Sequence, residues 1–222
     1  MADEISTVIR QTSYLIAADG SAGKIRLNRR GEVVTADMAQ QWVFDGRVYV
    51  ASNAARETAE AIGTHTTWSD TDPALLLDVP SGATAIPLEI IMSQGGTVAG
   101  GAITVHITLS DKIRYASGGV AITRQNMRFD EPRSSQCPFY SGSTDIVAAA
   151  NADDITLFAT MLDQDVATDP NLNEAILWTI KRFIAPVLVG PASLVIYALA
   201  ATTQPSFFYS IKWAEFDSTE VI

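Results

Sequence analysis

Leu194-Val195-Ile196-Tyr197-Ala198-Leu199-Ala200, then Thr202-Thr203-Gln204-Pro205, then Phe207-Phe208-Tyr209-Ser210-Ile211-Lys212-Trp213-Ala214, is the stretch that decides the fold. Side chains one residue apart on a strand point to opposite faces. The second segment therefore sorts into a large apolar face of Phe207, Tyr209, Ile211 and Trp213, and another face carrying Phe208, Ser210 and Lys212. The first segment is apolar throughout, so both of its faces need cover, from a second sheet or from a neighbouring subunit. Pro205 has no N–H to give to a ladder, which places 202–205 in the turn of a hairpin. A lone hairpin is barely stable in water, so the rest of the chain must supply partners.

Several other segments read as strands. Residues 58–68 are rich in Thr and Ala and form a first one. Ala74-Leu75-Leu76-Leu77-Asp78-Val79 forms a second, ended by the turn Pro80-Ser81-Gly82. The next carries Ile86, Leu88, Ile90 and Met92 on one face, with Pro87 marking an edge strand or a bulge. Residues 102–110 alternate most regularly, with Ile103, Val105, Ile107 and Leu109 inward and Thr104, His106, Thr108 and Ser110 outward. Residues 113–143 read as a long ordered connection. Short strands follow at 146–149, 155–159, 175–180 and 186–189. Many short strands, turn punctuation and no amphipathic helix imply an all-β sandwich, and long crossing connections imply Greek-key winding of the jelly-roll kind.

The expected organisation is an extended N-terminal arm over 1–55 and a jelly-roll/Greek-key β-sandwich over 56–222. Trp42-Val43-Phe44 and Val48-Tyr49-Val50 flank Asp45-Gly46, a short hairpin signal within the arm. Lys24, Arg26, Arg29 and Arg30 form a basic cluster there, in a chain whose formal net charge is -10. Such an arm suits an acidic partner surface. The acidic balance argues against nucleic acid or an anionic membrane as the main partner. The acidic start, Met1-Ala2-Asp3-Glu4, with no long apolar run after it, does not read as a Sec-type signal peptide, and the apolar segments fall short of a membrane span. The expectation is a soluble chain made in a cell's cytoplasm.

Few residues offer chemistry. Cys137 is the single cysteine, which excludes a disulfide within the chain and reads as a small buried apolar residue. The chain has two histidines, His65 and His106, and no G-x-S-x-G or H-E-x-x-H. The glycines at 95–101 lack the spacing of a nucleotide loop and precede a strand rather than a helix. Asp163, Asp165, Asp169, Asn171 and Glu174 match positions 1, 3, 7, 9 and 12 of a calcium loop, but Thr168 stands where the turn wants Gly. A solvated acidic loop is the plainer reading. No cofactor is expected.

Three stretches carry a resemblance. They are residues 77–88, residues 114–119 with Asn126-Met127-Arg128, and Gly190-Pro191-Ala192-Ser193 running through Tyr197 to Trp213-Ala214-Glu215. Over residues 74–216 the chain resembles virion structural proteins of tailed bacteriophages, in particular jelly-roll head decoration (cement) proteins. The resemblance implies a non-enzymatic outer capsid protein, commonly a homotrimer, seated where major capsid protein subunits meet, in a virion assembled in the host cytoplasm. It brings no catalytic residues. On this reading Lys24, Arg26, Arg29 and Arg30 grip the capsid, while Val195, Tyr197, Leu199 and Phe208 are the expected subunit interface. Two other classes stay open. One is a receptor- or glycan-binding module of a tail or baseplate, with a pocket built from 113–143 and 160–174. The other is a small β-sandwich hydrolase using His106 or Asp163.

Overall fold

The computed structural model describes residues 37–53, 57–62, 65–95, 101–130, 132–164, 175–200 and 205–220. Within them the chain forms a helix, α1 (Met38–Phe44), and then strands β1 (Val48–Ser52), β2 (Glu60–Ala61), β3 (Leu75–Val79), β4 (Ala83–Gly95), β5 (Gly101–Ser110), β6 (Tyr115–Ala121), β7 (Gln125–Asn126), β8 (Phe139–Ala148), β9 (Ile155–Gln164), β10 (Ala175–Thr179), β11 (Leu188–Val189), β12 (Ala192–Ala200) and β13 (Ser206–Asp217). The strands build two sheets. One has the order β6-β8-β3-β12-β5-β9. The other has the order β10-β4-β13-β1-β7, with β11 also on β4 and β2 on β13. Every pairing between named strands is antiparallel. The expected all-β sandwich is present, and the sheets lie within the unit Trp42–Ile222.

The core follows from alternation. Leu194, Ile196 and Ala198 of β12, Leu75 and Leu77 of β3, and Ile103, Val105 and Ile107 of β5 form one buried cluster with Ile90 and Met92 of β4 and Phe207, Tyr209, Ile211 and Trp213 of β13. Phe139 of β8 spans the gap between the sheets, its ring 6.2 Å from those of both Tyr209 and Trp213. Fully burying one such large apolar side chain stabilises by about 1.5–3 kcal/mol.

Local signals fail where pairing is long-range. β12 and β13 are not a hairpin: β12 lies between β3 and β5 in one sheet, and β13 between β4 and β1 in the other. Among the described strands, none pairs with its neighbour in the chain. Trp42-Val43-Phe44 is helical instead of the first arm of a hairpin. Asp37 caps the helix through its Oδ1, which accepts from Ala39 N at 2.8 Å. Gly46, at φ 67°, ends it: Arg47 N donates to Trp42 O and Gly46 N to Val43 O, both at 2.9 Å. That is the paired bonding of a Schellman motif, and it takes the positive φ that the sequence reading gave to a hairpin turn. β1, expected in the arm, is paired on both sides within the seven-stranded sheet, so the sandwich takes in residues N-terminal to 56.

Three further sequence readings are refined. Among the described residues of 58–68, only Glu60–Ala61 is a strand. Residues 113–143 hold β6, β7 and the start of β8; β6 was illegible because Gly118 and Gly119 interrupt its pattern with positive φ. In β4, Pro87 does mark a bulge, but not an edge. Glu89 pairs with Lys212 and Pro87 with Trp213, so Leu88 is the extra residue in a strand flanked on both sides. The inserted residue reverses the alternation. Ile90 and Met92 face the core, whereas Leu88 and Ile86 pack with Val48 and Ala214 in a separate outer cluster.

Candidate functional site

The densest group of functional side chains lies on the outer face of the six-stranded sheet. Residues 65–74 run along β12: His65 N donates to Ala198 O at 3.1 Å, and Ala74 N to Ile196 O at 2.8 Å. This places Asp70 over Tyr197, whose hydroxyl donates to Asp70 O at 2.9 Å. Arg114, just before β6, is fully buried beneath them. Its Nη2 donates to Asp70 Oδ1 at 2.9 Å and Asp70 O at 2.8 Å, its Nη1 to Asp154, and its Nε to the Ala149 carbonyl. Its own N–H, with that of Tyr115, reaches Asp78, which also takes the Ser193 hydroxyl at 2.5 Å. Asn151 closes the group by donating from Nδ2 to Asp154 Oδ1 and Ser110 Oγ, both at 2.8 Å, and from its backbone N–H to Asp70 Oδ2 at 2.8 Å.

The electrostatics match these contacts. Burial works against the Asp70 carboxylate, but the Asn151 N–H and the Arg114 guanidinium outweigh it and hold its pKa below the usual value. Burial likewise opposes the charge on Arg114, and its carboxylate partners reverse the balance and raise its pKa. Burial, with Asp70 and Asp154 nearby, pushes the Tyr197 phenol up in spite of Arg114. Arg114 is thus a charged anchor that ties residues 70, 149 and 154 to the sheet. Its guanidinium and both carboxylates are spent on one another.

A second polar group sits at the other sheet. Arg47 makes a bidentate pair with Glu220 at 2.5 and 3.0 Å and lies 4.9 Å over the Phe216 ring. The guanidinium bond, working against burial, holds the Glu220 carboxyl below its ordinary pKa. Glu215 is buried beside it and accepts from Trp213 Nε1 at 2.7 Å, Gln136 N at 2.8 Å and the Ser135 hydroxyl. The hollow between these groups measures about 80 Å³, room for water but well below an ordinary ligand pocket. Cys137 is buried nearby, and burial, then the Glu215 charge, push its thiol up, which makes it inert as a nucleophile. A larger hollow of about 380 Å³ is lined by Ser52, Asn53, Thr123 and Gln125 with Val50 and Ile122.

The structure places the residues singled out in the sequence as follows. Val195 and Tyr197 are covered within the chain, by Leu76, Ile146, Tyr115 and Tyr140, and have no surface left for another subunit. Leu199 is half-buried on the same outer face, beside His65. Phe208 is exposed, but alternation from Phe207 and Tyr209 puts it on the outer face of the other sheet. The four residues therefore do not form one interface. The apolar strand needed cover on its second face, and residues 65–74 with β8 provide it. His106 lies edge-on to Trp68, ring centres 5.2 Å apart. Asp163 is the last residue but one of β9, paired with Ala102. Asp165, Asp169, Asn171 and Glu174 lie outside the described residues, as do Lys24, Arg26, Arg29 and Arg30. Among the described residues no group of three or more His, Cys, Asp or Glu is arranged to hold a metal ion.

Sequence reasoning missed Arg114 as a centre, although it quoted the residue. A lone Arg before a Gly-rich strand carries no local sign of burial, and its partners come from two distant loops, at Asp70 and at 149–154. No family model, no curated protein and no solved structure matches this chain.

Proposed function

We propose that this chain is a structural protein of a tailed-bacteriophage particle: a decoration or cement protein that binds the outer head surface where major capsid subunits meet. It works by burying surface across those joints, so that many modest contacts add up over the shell. The observation that carries the reading is where the chain spends its charges and where it leaves its apolar side chains. Arg114, Arg47, Asp78 and Glu215 are all turned inward and paired, while Phe129 and Ile184 stand 86% and 93% exposed. Exposed apolar side chains that lie together mark contact with other proteins, and Phe183, Ile184, Val187 and Val189 are all exposed within one short stretch. In this reading Lys24, Arg26, Arg29 and Arg30 supply the grip on an acidic capsid surface. The trimer implied by the resemblance loses its expected apolar interface at Val195 and Tyr197, so the proposal carries no subunit number.

The test is binding to undecorated heads, read by co-sedimentation and a particle map. Deleting residues 1–50 would remove most of β1 and unfold the sandwich, so the informative variant lacks 1–36. It is expected to stay folded and to leave heads bare, as is the full chain with Lys24, Arg26, Arg29 and Arg30 replaced by Glu. Normal decoration by both would overturn the role of the arm, and failure of the intact chain to bind heads would overturn the function. A receptor- or glycan-binding module is the second reading, favoured by the 380 Å³ polar hollow at residues 121–125, and glycan-array binding lost in Asn53→Ala would support it.

A further inference from the structure

Between the turn after β5 and the loop before β9, an amine is held against a carboxamide. Lys112 Nζ donates to Asn151 Oδ1 at 3.1 Å. Asn151 is 5% exposed and has little freedom to turn. Its Nδ2 donates to Asp154 Oδ1 and Ser110 Oγ, both at 2.8 Å, and lies 3.1 Å from Asp111 Oδ1. The carboxylates thus keep the NH₂ on their side and leave Oδ1 to Lys112. Asp70 Oδ2 holds the backbone N–H of Asn151, and the Asp153 N–H points at Oδ1 from 3.4 Å. Lys112 itself is exposed, and among the described residues no ion pair competes for its Nζ.

We propose that Lys112 and Asn151 join through an amide bond between their side chains. Nζ, as the neutral amine, attacks Cγ. The Nζ–Cγ bond forms, the Cγ–Nδ2 bond breaks, and Nδ2 leaves as ammonia with the proton that Nζ gives up. No other reactant is consumed. Asp111 carries that proton: it is exposed, it adjoins Lys112 in the chain, and its Oδ1 faces the leaving nitrogen. Asp154 only orients the amide, since Arg114 already binds it. The Asp153 N–H meets the negative charge that gathers on Oδ1 during the attack.

A C=O bond is about 1.2 Å long, so Nζ lies within about 4.3 Å of Cγ. A small swing of the exposed stem closes this to the roughly 3–3.5 Å from which such reactions proceed. Groups held in this way react as though present at about 10⁵ M or more, which lets an amine displace ammonia from an amide that is inert in free solution. The bond ties together two positions 39 residues apart, around β6, β7 and β8. Arg114 follows on one side of it, and Ala149 and Asp154, which bind Arg114, lie on the other. The cross-link therefore locks the buried polar group in place.

This inference stands apart from the function proposed above. Mass spectrometry of the whole chain tests it. After prolonged incubation at about pH 9, the chain is expected to weigh about 17 Da less, the mass of one ammonia. A digest should contain the peptide of Lys112 joined to that of Asn151, and trypsin should no longer cut after Lys112. The groups around the pair are Asp70, Asp111, Asp153, Asp154 and Arg114. Groups of these types do not ordinarily titrate between about pH 7 and 10, so a rate that climbs over that range reports the amine. Lys112→Arg, at an exposed position, should fold like the parent by far-UV spectrum and keep its full mass. Asp111→Asn should slow the loss by about a hundredfold; an unchanged rate would overturn the role given to Asp111. A parent chain that keeps its full mass at every pH would overturn the proposal. So would a loss of ammonia confined to the Asn151 peptide, which marks a succinimide, or one that persists in Lys112→Arg.

Discussion

Replacing Arg114 with Met tests whether the buried polar group holds the outer face of the six-stranded sheet. Met keeps much of the apolar stem and removes the guanidinium. Asp154 then retains only the Asn151 amide at 2.8 Å, and the Ala149 carbonyl loses the Nε donor. Asp70 is less affected, being 31% exposed and still bound by Asn151 N at 2.8 Å and the Tyr197 hydroxyl. Removing one partner of a buried ion pair costs about 3–5 kcal/mol. The partial exposure of Asp70 puts this case at the low end, about 3 kcal/mol. With a urea dependence of about 3 kcal/mol per molar, the midpoint falls by about 1 M. Trp68 packs on Tyr197 with ring centres 4.4 Å apart, so its fluorescence reports on the region being perturbed. Adding Asp154→Leu should recover part of the loss, because the carboxylate left uncompensated is then gone. A midpoint shift below about 0.3 M, or a double variant less stable than the single one, would refute the reasoning.

Other outcomes follow from single features. Gly142→Ala places a Cβ 2.8 Å from Ile62 O and 3.0 Å from Ala74 O, both backbone atoms, and should cost about 1–3 kcal/mol in thermal melts, more than Gly82→Ala, which meets nothing within 4 Å and is strained only by its φ of 90°. Asp70 and Glu220 have lowered pKa values, so their contribution is complete above the unfolded carboxylate values near 4 and is lost as pH falls through the folded ones; urea midpoints should drop below about pH 4, and Asp70→Asn should flatten that decline. Cys137 should resist an aromatic disulfide reagent in the native protein at pH 8 and react once urea unfolds it; rapid native labelling would contradict its burial.

The strands were legible wherever one alternation ran uninterrupted. β13 sorted its residues as its pattern said, and β3, β5 and β12 fell where apolar runs placed them. What the sequence concealed was everything set by a neighbour far along the chain. Pro87 announces an edge or a bulge, but which of the two, and the reversal of the faces of β4 at Leu88, depend on how β13 pairs. β6 is held in place by β8 and not by its own glycines. Trp42-Val43-Phe44 is too short for a period to choose between helix and strand, and the cap at Gly46 decided it. The candidate site failed for the same reason. A linear reading says that Val195 and Tyr197 need cover and leaves a neighbouring subunit open as its source, and only the path of residues 65–74 and β8 shows that the chain supplies it.

The central places of β12 and β13 set the order of assembly. Each fills the gap between two strands made much earlier, β3 and β5 in one sheet, β4 and β1 in the other. During synthesis those earlier strands emerge with their inner edges unmatched, and among the described strands no local hairpin shelters them in the meantime. Such non-local pairing slows folding, and a nascent polypeptide halted before residue 192 should be a substrate for chaperones and proteases instead of a complete sandwich.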